Sequence, residues 1–494
     1  MDDPYAPARD ALAGDGLGGA GDGDACDSGG AGDGDARDSG GAGDGDARGS
    51  GSSDPAVLAA RLDDADPLSG FADRYHLPED VLYMDGNSLG PASDAALASL
   101  DRVVDEWRER LIAGWTDADP PWFSVGERLG DALAPLVGAD PAEVVVGNSI
   151  TVNIHTLIGT FLDELLAGNG PERAGVERAD GEWDPSVEPA VLVNELDFPS
   201  DHYAVRAQLR QRGIDPDEKL RVVESRDGRT IDPRDIEAAL AAHDDVGIVW
   251  MPTALYRSGQ LFDVERVAAA AHEAGAYAGF DAAHSAGAVP HEFGDAGVDF
   301  AVWCTYKYLN AGPGSLGALF VAERHHGLTP ALAGWWGHEK ATQFEMNMTY
   351  TPADSAGAWQ IGTPPLLAAA PLEGSVELLR EAGIRRVRSK SLALTDFLIA
   401  LVDDRLPEVA VGTPREHASR GGHVALEHPD AERLSAALKA RGVVVDFRPP
   451  NVVRVCPAAP YTSFADVLEV VDETEAILES GAHEAYAAGE GGVT

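Results

Sequence analysis

The sequence predicts an α/β protein: a large domain on a mostly parallel sheet covered by helices, followed by a smaller α+β C-terminal domain. Two patterns carry this. Short apolar, β-rich runs alternate with helix-like stretches through the middle of the chain, the signature of strands joined by crossover helices. The last third changes to a long helical pattern followed by short strands. With 494 residues, 44% of them hydrophobic, and a mean hydropathy of -0.16, there is enough apolar material for a large core.

The strands are read at Glu143–Gly147 (EVVVG), Ala190–Asn194 (AVLVN), Gly247–Met251 (GIVWM), Tyr277–Phe280 (YAGF), Phe300–Cys304 (FAVWC) and Gly317–Ala322 (GALFVA). Helical patterns lie between them at Val152–Leu166, His202–Arg212, Pro233–Ala242 and Val264–Ala274. The C-terminal part reads as one helix from Leu372 to Leu401, two short strands, and a helix at Asp430–Arg441. Strands at Val443–Asp446 and Val452–Val455 follow, then a closing helix at Phe464–Leu478. The expected division is a segment 54–95 packing with the small domain, a large domain 96–371, a small domain 372–485 and a flexible end 486–494. Residues 167–187, acidic and Gly-rich, read as a surface loop.

Residues 1–53 stand apart. Gly18–Ser28 (GGAGDGDACDS) recurs as Gly29–Ser39 and, nearly unchanged, as Gly40–Ser50. Gly and Asp dominate, so burial cannot offset the chain entropy, and the segment reads as a disordered acidic tail. The apolar residue that a calcium-binding solenoid would stack inside is missing.

The whole chain carries 83 Asp and Glu against 37 Lys and Arg, a formal charge of -46, with a pI near 4.4. Such a polyanion repels phosphate backbones and anionic lipid, so nucleic-acid and membrane-surface roles are excluded from the leading readings. Only Lys219, Lys307, Lys340, Lys390 and Lys439 are lysines. An acidic, Lys-poor surface suits a cytoplasm full of salt, where screening is strong and net charge preserves solubility. Cys26, Cys304 and Cys456 show no CxxC spacing, which argues against a disulfide framework or a zinc site. With no charged-then-apolar leader and no apolar run of about 18 residues, a cytoplasmic location is expected.

In open α/β sheets ligands bind beyond the carboxyl ends of the strands, so residues that follow the strands are examined first. After EVVVG, Asn148-Ser149-Ile150-Thr151 opens a helix whose free N–H groups suit an anion. Asp197-Phe198-Pro199-Ser200-Asp201 follows AVLVN, Asp281 and His284 follow YAGF, and Thr305-Tyr306-Lys307 follows FAVWC. A lysine at a strand end in a Lys-starved chain points to amine chemistry, since arginine forms no Schiff base. A carboxylate for a pyridinium nitrogen and a phosphate cradle would complete a pyridoxal-phosphate site.

These residues resemble those of kynureninase, a pyridoxal-phosphate-dependent family with the aspartate-aminotransferase-like fold (fold type I of the PLP-dependent transferases). The likeness runs from about Tyr83 to Asp472. It includes Tyr83–Gly90 (YMDGNSLG), Ser149–His155 (SITVNIH), Phe198–Tyr203 (FPSDHY), Phe280–Ala288 (FDAAHSAGA), Trp303–Asn310 (WCTYKYLN), Gly334–Glu339 (GWWGHE) and Asn451–Pro457 (NVVRVCP). The resemblance implies Lys307 as the Schiff-base lysine and Asp281 as partner of the ring nitrogen. Phe198 would stack on the ring, with Asp201 near its polar edge. Ile150, Thr151, Tyr306 and His284 would serve the phosphate. Trp335 and Thr363 would reach the cofactor from the neighbouring subunit of a homodimer. Arg454 would hold the substrate α-carboxylate as a two-pronged fork, with Asn87 and Ser88 lining the same pocket.

The implied activity is hydrolysis of L-kynurenine, or its 3-hydroxy form, to the corresponding anthranilate and L-alanine, a reaction of tryptophan catabolism and NAD biosynthesis. Lys307 would take the α-proton and Tyr306 would return one at Cβ. Two departures stand out. Some members of the family have a small hydroxyl residue at the place of Pro252, a contact that is lost here or supplied by Thr253. Some have a His facing the substrate ring where this chain has Trp115, which bears on the choice between the two substrates. The alternative is a cysteine desulfurase or related lyase of the same fold, which would need a cysteine on a mobile loop near Arg454.

The charge yields a first prediction: stability and activity fall in dilute buffer as the acidic surface repels itself. Thermal unfolding and turnover measured across a salt series check this, and full folding and activity without added salt would overturn it.

Overall fold

A computed structural model of the chain describes residue 5 and residues 54–171, 183–487 and 489. Most of the repeat tail, the centre of the acidic loop and the last residues therefore lie outside the described residues. Tyr5 departs from the expectation of a free tail: it is buried in the small-domain core, and its hydroxyl bonds Asp66.

The strands, numbered along the chain, begin with Leu82–Tyr83 (β1). The large sheet comprises Val144–Val146 (β2), Ala190–Asn194 (β3), Leu220–Val223 (β4), Val246–Pro252 (β5), Tyr277–Asp281 (β6), Phe300–Cys304 (β7) and Gly317–Val321 (β8). Their order is β2-β8-β7-β6-β5-β3-β4. The run from β7 through β4 is parallel, while β8 is antiparallel to both β7 and β2. All residues of β5 and β7 are buried, as strands covered on both faces require. Successive residues part between two cores. Leu192 and Val249 face the helices Val125–Val137, Val264–Glu273 and Leu366–Ala382, whereas Val191, Val193 and Ile248 face Ile150–Leu166 and Pro199–Gln211. β4 was not anticipated, because an edge strand reading LRVV and only partly buried lacks a continuous apolar run.

In the small domain Ala410–Val411 (β9), Val424–Glu427 (β10), Asp446–Arg448 (β12) and Val452–Val455 (β13) form an antiparallel sheet in the order β12-β13-β10-β9. Val443–Val444 (β11) instead pairs in parallel with β1, so the single strand expected at 443–446 is divided between two partners. The single helix expected at 372–401 is likewise two, Leu366–Ala382 and Ile384–Arg405, separated by Gly383 at φ 80°. Glycine takes that left-handed conformation at little cost. Leu372, Val376 and Leu379 of the first helix belong to the large core, and Leu394, Phe397 and Leu401 of the second to the small one. The boundary expected at 371/372 thus falls inside a large-domain helix.

One ion pair fastens this junction. Lys390 Nζ meets Asp66 Oδ2 at 2.7 Å, each side chain 2% exposed, and Asp66 Oδ1 accepts the Leu68 N–H at 2.8 Å. Burial lowers the lysine's pKa and Asp66 opposes that shift. Removing one partner strands a charge in the core. Asp66→Ala is expected to cost roughly 3–5 kcal/mol, against about 0–1 kcal/mol for Glu381→Ala, whose Arg74 bridge is exposed. Denaturant unfolding of both variants checks this, and equal losses would contradict it.

Candidate active site

Because β5, β6 and β7 are parallel neighbours with Pro252 opposite Asp281 and Asp281 opposite Val302, their carboxyl ends open into one crevice. Lys307 follows β7 in a turn pinned by Thr305, whose hydroxyl reaches Leu316 O at 2.6 Å and Ser315 Oγ at 2.5 Å. The loop after β1 presses on the same turn: Gly90 N donates to Tyr306 O at 2.7 Å, and a Cβ on Gly90 would stand 2.6 Å from Lys307 O. Across the crevice His284 Nε2 lies 2.9 Å from Lys307 Nζ. Burial, then the nearby Lys307 charge, holds His284 well below the usual imidazole range, so it is the neutral acceptor of this contact.

Beneath them lie three carboxylates. Asp201, at the start of helix Pro199–Gln211, accepts Trp250 Nε1 at 2.9 Å. Asp197 Oδ1 accepts Asn194 Nδ2 at 2.8 Å, and Asp281 Oδ1 accepts the Ala283 N–H at 2.7 Å. Desolvation pushes all three above the usual carboxylate range, and the Asp281 charge adds to the rise of the other two. Lys307 pulls Asp281 back down. Asp201 Oδ2 is buried without a donor, and it can bond Asp281 only by carrying a proton.

Phe198, 46% exposed, meets Tyr256 edge to face with ring centroids 5.3 Å apart. With Asp201, Asp281 and His284 these rings border a narrow cleft. Ile150 and Thr151 form the first turn of helix Ile150–Leu166, which Ser149 caps, so free backbone N–H groups and the positive end of the helix dipole are offered there to an anion. Tyr306 stands beside the Cys304 thiol, its hydroxyl pushed up by burial and therefore protonated. The residues fit pyridoxal phosphate: a ring cation answers the uncompensated Asp201 and Asp281, and a phosphate answers the helix N-terminus. His284 is placed at the lysine, and no contact among the described residues joins it to Ile150 or Thr151.

A second group of polar atoms surrounds Arg454 of β13, which is 1% exposed. Its Nη1 donates to Tyr256 O at 2.7 Å, and its Nη2 donates to Ser88 Oγ at 2.9 Å and also binds Asp446. Only Nε lacks a partner. The guanidinium is therefore largely engaged within the protein and is not the open two-pronged fork expected. Asn87 is fully buried, with both amide atoms unpartnered. Asp85 is raised to about 6, chiefly by burial.

Other expected residues lie elsewhere in the chain. Trp115 packs on Trp122 and Trp336, Trp335 packs on Trp336 and Phe344, and Thr363 is exposed. No hydrogen bond, ion pair or ring contact among the described residues joins these three to Lys307 or Arg454. Thr253, the expected substitute for a hydroxyl at Pro252, is engaged within the protein. Its Oγ1 is buried 2.5 Å from Ser285 Oγ, which in turn lies 2.7 Å from His291 Nε2. Sequence reasoning passed over Tyr256, which its place just beyond β5 could have flagged, and His423, which no motif marks.

The chain was compared with known proteins. Residues 387–474 match the family model of the kynureninase C-terminal domain. A kynureninase from Geobacillus thermodenitrificans is 46% identical over 423 residues, covering 85% of this chain and 94% of the relative. One from Shouchella clausii is 42% identical over 423 residues, with the same coverage. Among solved structures, cysteine desulfurases from Thermococcus onnurineus NA1 and Escherichia coli superpose with TM-scores of 0.67 at 18% and 16% identity. They cover 83% and 84% of this chain and 98% of each of their own, a likeness of fold alone. The relatives share the length of the folded chain, and the chain belongs to the kynureninase family.

Proposed function

We propose that this protein hydrolyses the Cβ–Cγ bond of L-kynurenine to give anthranilate and L-alanine, with pyridoxal phosphate as cofactor. The observation that carries this reading is Lys307 poised at His284 above the Asp201–Asp281 pair, in a chain of kynureninase ancestry. Lys307 would hold the cofactor's carbonyl carbon, Asp281 its ring nitrogen, Phe198 one face, and Ile150 and Thr151 its phosphate. The bound cofactor supplies an electron sink conjugated to the substrate's Cα.

The protein's own groups do the rest. Lys307 would take the substrate's α-proton, with neutral His284 orienting its amine. Asp281 would hold the ring nitrogen in its protonated form, with the Lys307 charge favouring the ionised carboxylate this needs. Water adds to the γ-ketone, the Cβ–Cγ bond breaks to release anthranilate, and Tyr306 delivers a proton to Cβ of the alanine fragment. Arg454, Ser88 and Asn87 receive the α-carboxylate.

Among the described residues no cysteine suits the cysteine desulfurase reading. Cys304 and Cys456 are 3% and 0% exposed on strand β7 and just past β13, with thiol pKa values raised by burial, rather than on a mobile loop.

A second copy of the chain completes the site. Trp107, Leu111, Ile112 and Leu367 are exposed around an apolar groove of about 610 Å³ that also contains Trp115, the kind of surface a partner covers. Trp335 and Thr363 are exposed as well, which suits delivery to the partner's cofactor. No helix among the described residues is long and apolar enough to cross a membrane. We place the enzyme in a salt-rich cytoplasm.

Two predictions follow from this reading. In high salt with pyridoxal phosphate, wild type should show a visible absorbance band and convert L-kynurenine to fluorescent anthranilate. Lys307→Ala should lose the band and at least about 100-fold in rate, the loss expected for a missing general base. A band without anthranilate would refute the substrate assignment. Ile112→Asp should turn a dimer into a folded monomer by light scattering and lower activity by at least about tenfold, because Trp335 and Thr363 no longer reach a neighbour. A wild-type monomer with full activity would contradict the dimer.

A further inference from the structure

His423 is buried deep beside the catalytic groups, yet neither ring nitrogen makes a hydrogen bond. It immediately precedes β10, where Ala425 lies opposite Arg454. Side chains two apart share a face of the sheet, so His423 is the diagonal neighbour of Arg454. On its other side its ring meets His284 edge to face, centroids 6.0 Å apart, and His284 touches Lys307. The imidazole thus stands between the amine that would attack the cofactor and the guanidinium expected to take the carboxylate. A glycine shapes this place. Gly259 sits at φ 73°, and a Cβ there would come within 2.8 Å of His423 O and 3.3 Å of its Nε2. The ring leans towards the Arg257 backbone, but outside hydrogen-bond geometry.

An unpartnered buried imidazole is costly unless something arrives to bond it. Arg454 makes the need specific: Asp446, Ser88 and Tyr256 already occupy its terminal nitrogens, leaving Nε. A carboxylate bound there would be under-supplied with donors by Arg454 alone. We propose that His423 is a substrate-positioning residue that hydrogen-bonds the α-carboxylate of the amino-acid substrate and of the alanine product beside Arg454. This rests on the reading of the site as a kynureninase centre. Burial and the surrounding cations hold the imidazole down to about 3 in the free protein, so it waits as a neutral group.

L-Alanine isolates the amino-acid end of the substrate, so its dissociation constant from the cofactor-loaded enzyme, measured by titration calorimetry, reads this contact. His423→Leu should weaken L-alanine roughly 10- to 100-fold, the range for one hydrogen bond to a charged group. It should raise the kynurenine KM similarly, leave kcat within about threefold and keep the cofactor absorbance. His423→Gln, still polar, should recover most of the affinity. Unchanged L-alanine binding in His423→Leu, or a fall in kcat at constant KM, would overturn the proposal.

Should His423→Leu not fold, His423→Ala leaves space in which added imidazole should restore L-alanine binding. Failure of both imidazole and glutamine to restore it would assign His423 a merely structural role and overturn the proposal. Arg454→Gln serves as the parallel control. If it binds L-alanine normally, the reading of the site itself falls and this proposal with it. If it loses binding while the His423 variants keep it, only the role of His423 falls.

Discussion

The constraint on which the rest of the site depends is an imbalance of charge at the end of three parallel strands. Register alone puts Asp281 beside Pro252 and Val302, and the turn after β3 adds Asp197 and Asp201 to the same buried space. Three carboxylates there face one ammonium, Lys307. Like charges so close cannot all ionise in a poorly solvated setting, so the cluster retains protons or acquires a cation. A cofactor with a protonated ring nitrogen would resolve this conflict, and the conflict would in turn favour that protonated form. Affinity and electronic activation would then share one electrostatic origin.

The strand-end rule made much of this legible. Lys307 and Asp281 stood out because they follow apolar runs, and Lys307 also because the chain has so few lysines. The parallel core was legible for the same reason: β5 and β7 are apolar throughout, as strands with two buried faces must be. Edge strand β4 was lost because half-exposed residues dilute the pattern. The helix break was available in principle, since Gly383 sits where a helix-stop signal is expected, but continuous apolar spacing on both sides hid it.

What sequence could not convey was how the polar atoms divide their bonds. The resemblance placed Arg454 in the site, yet only the packing of β12 against β13 brings Asp446 onto its guanidinium. The sequence offers Thr253 as a substitute for a hydroxyl at Pro252 without showing that its hydroxyl is engaged by Ser285, itself held by His291. His423 belongs to a domain without catalytic strand ends, and it becomes conspicuous only through contacts it fails to make. The aromatic group of Trp115, Trp335 and Trp336 has no ring contact or hydrogen bond with Lys307 among the described residues, and on the proposed reading only a second copy would bring it there.

Arg454 is also a joint. It ties the loop after β1 through Ser88, the large domain through Tyr256 and the small domain through Asp446. On the proposed reading, an incoming carboxylate would draw on the same guanidinium that clasps these three segments. Catalytic occupancy and mechanical cohesion would then compete for one side chain, and the grip between the lobes would slacken and tighten in step with the filling and emptying of the site.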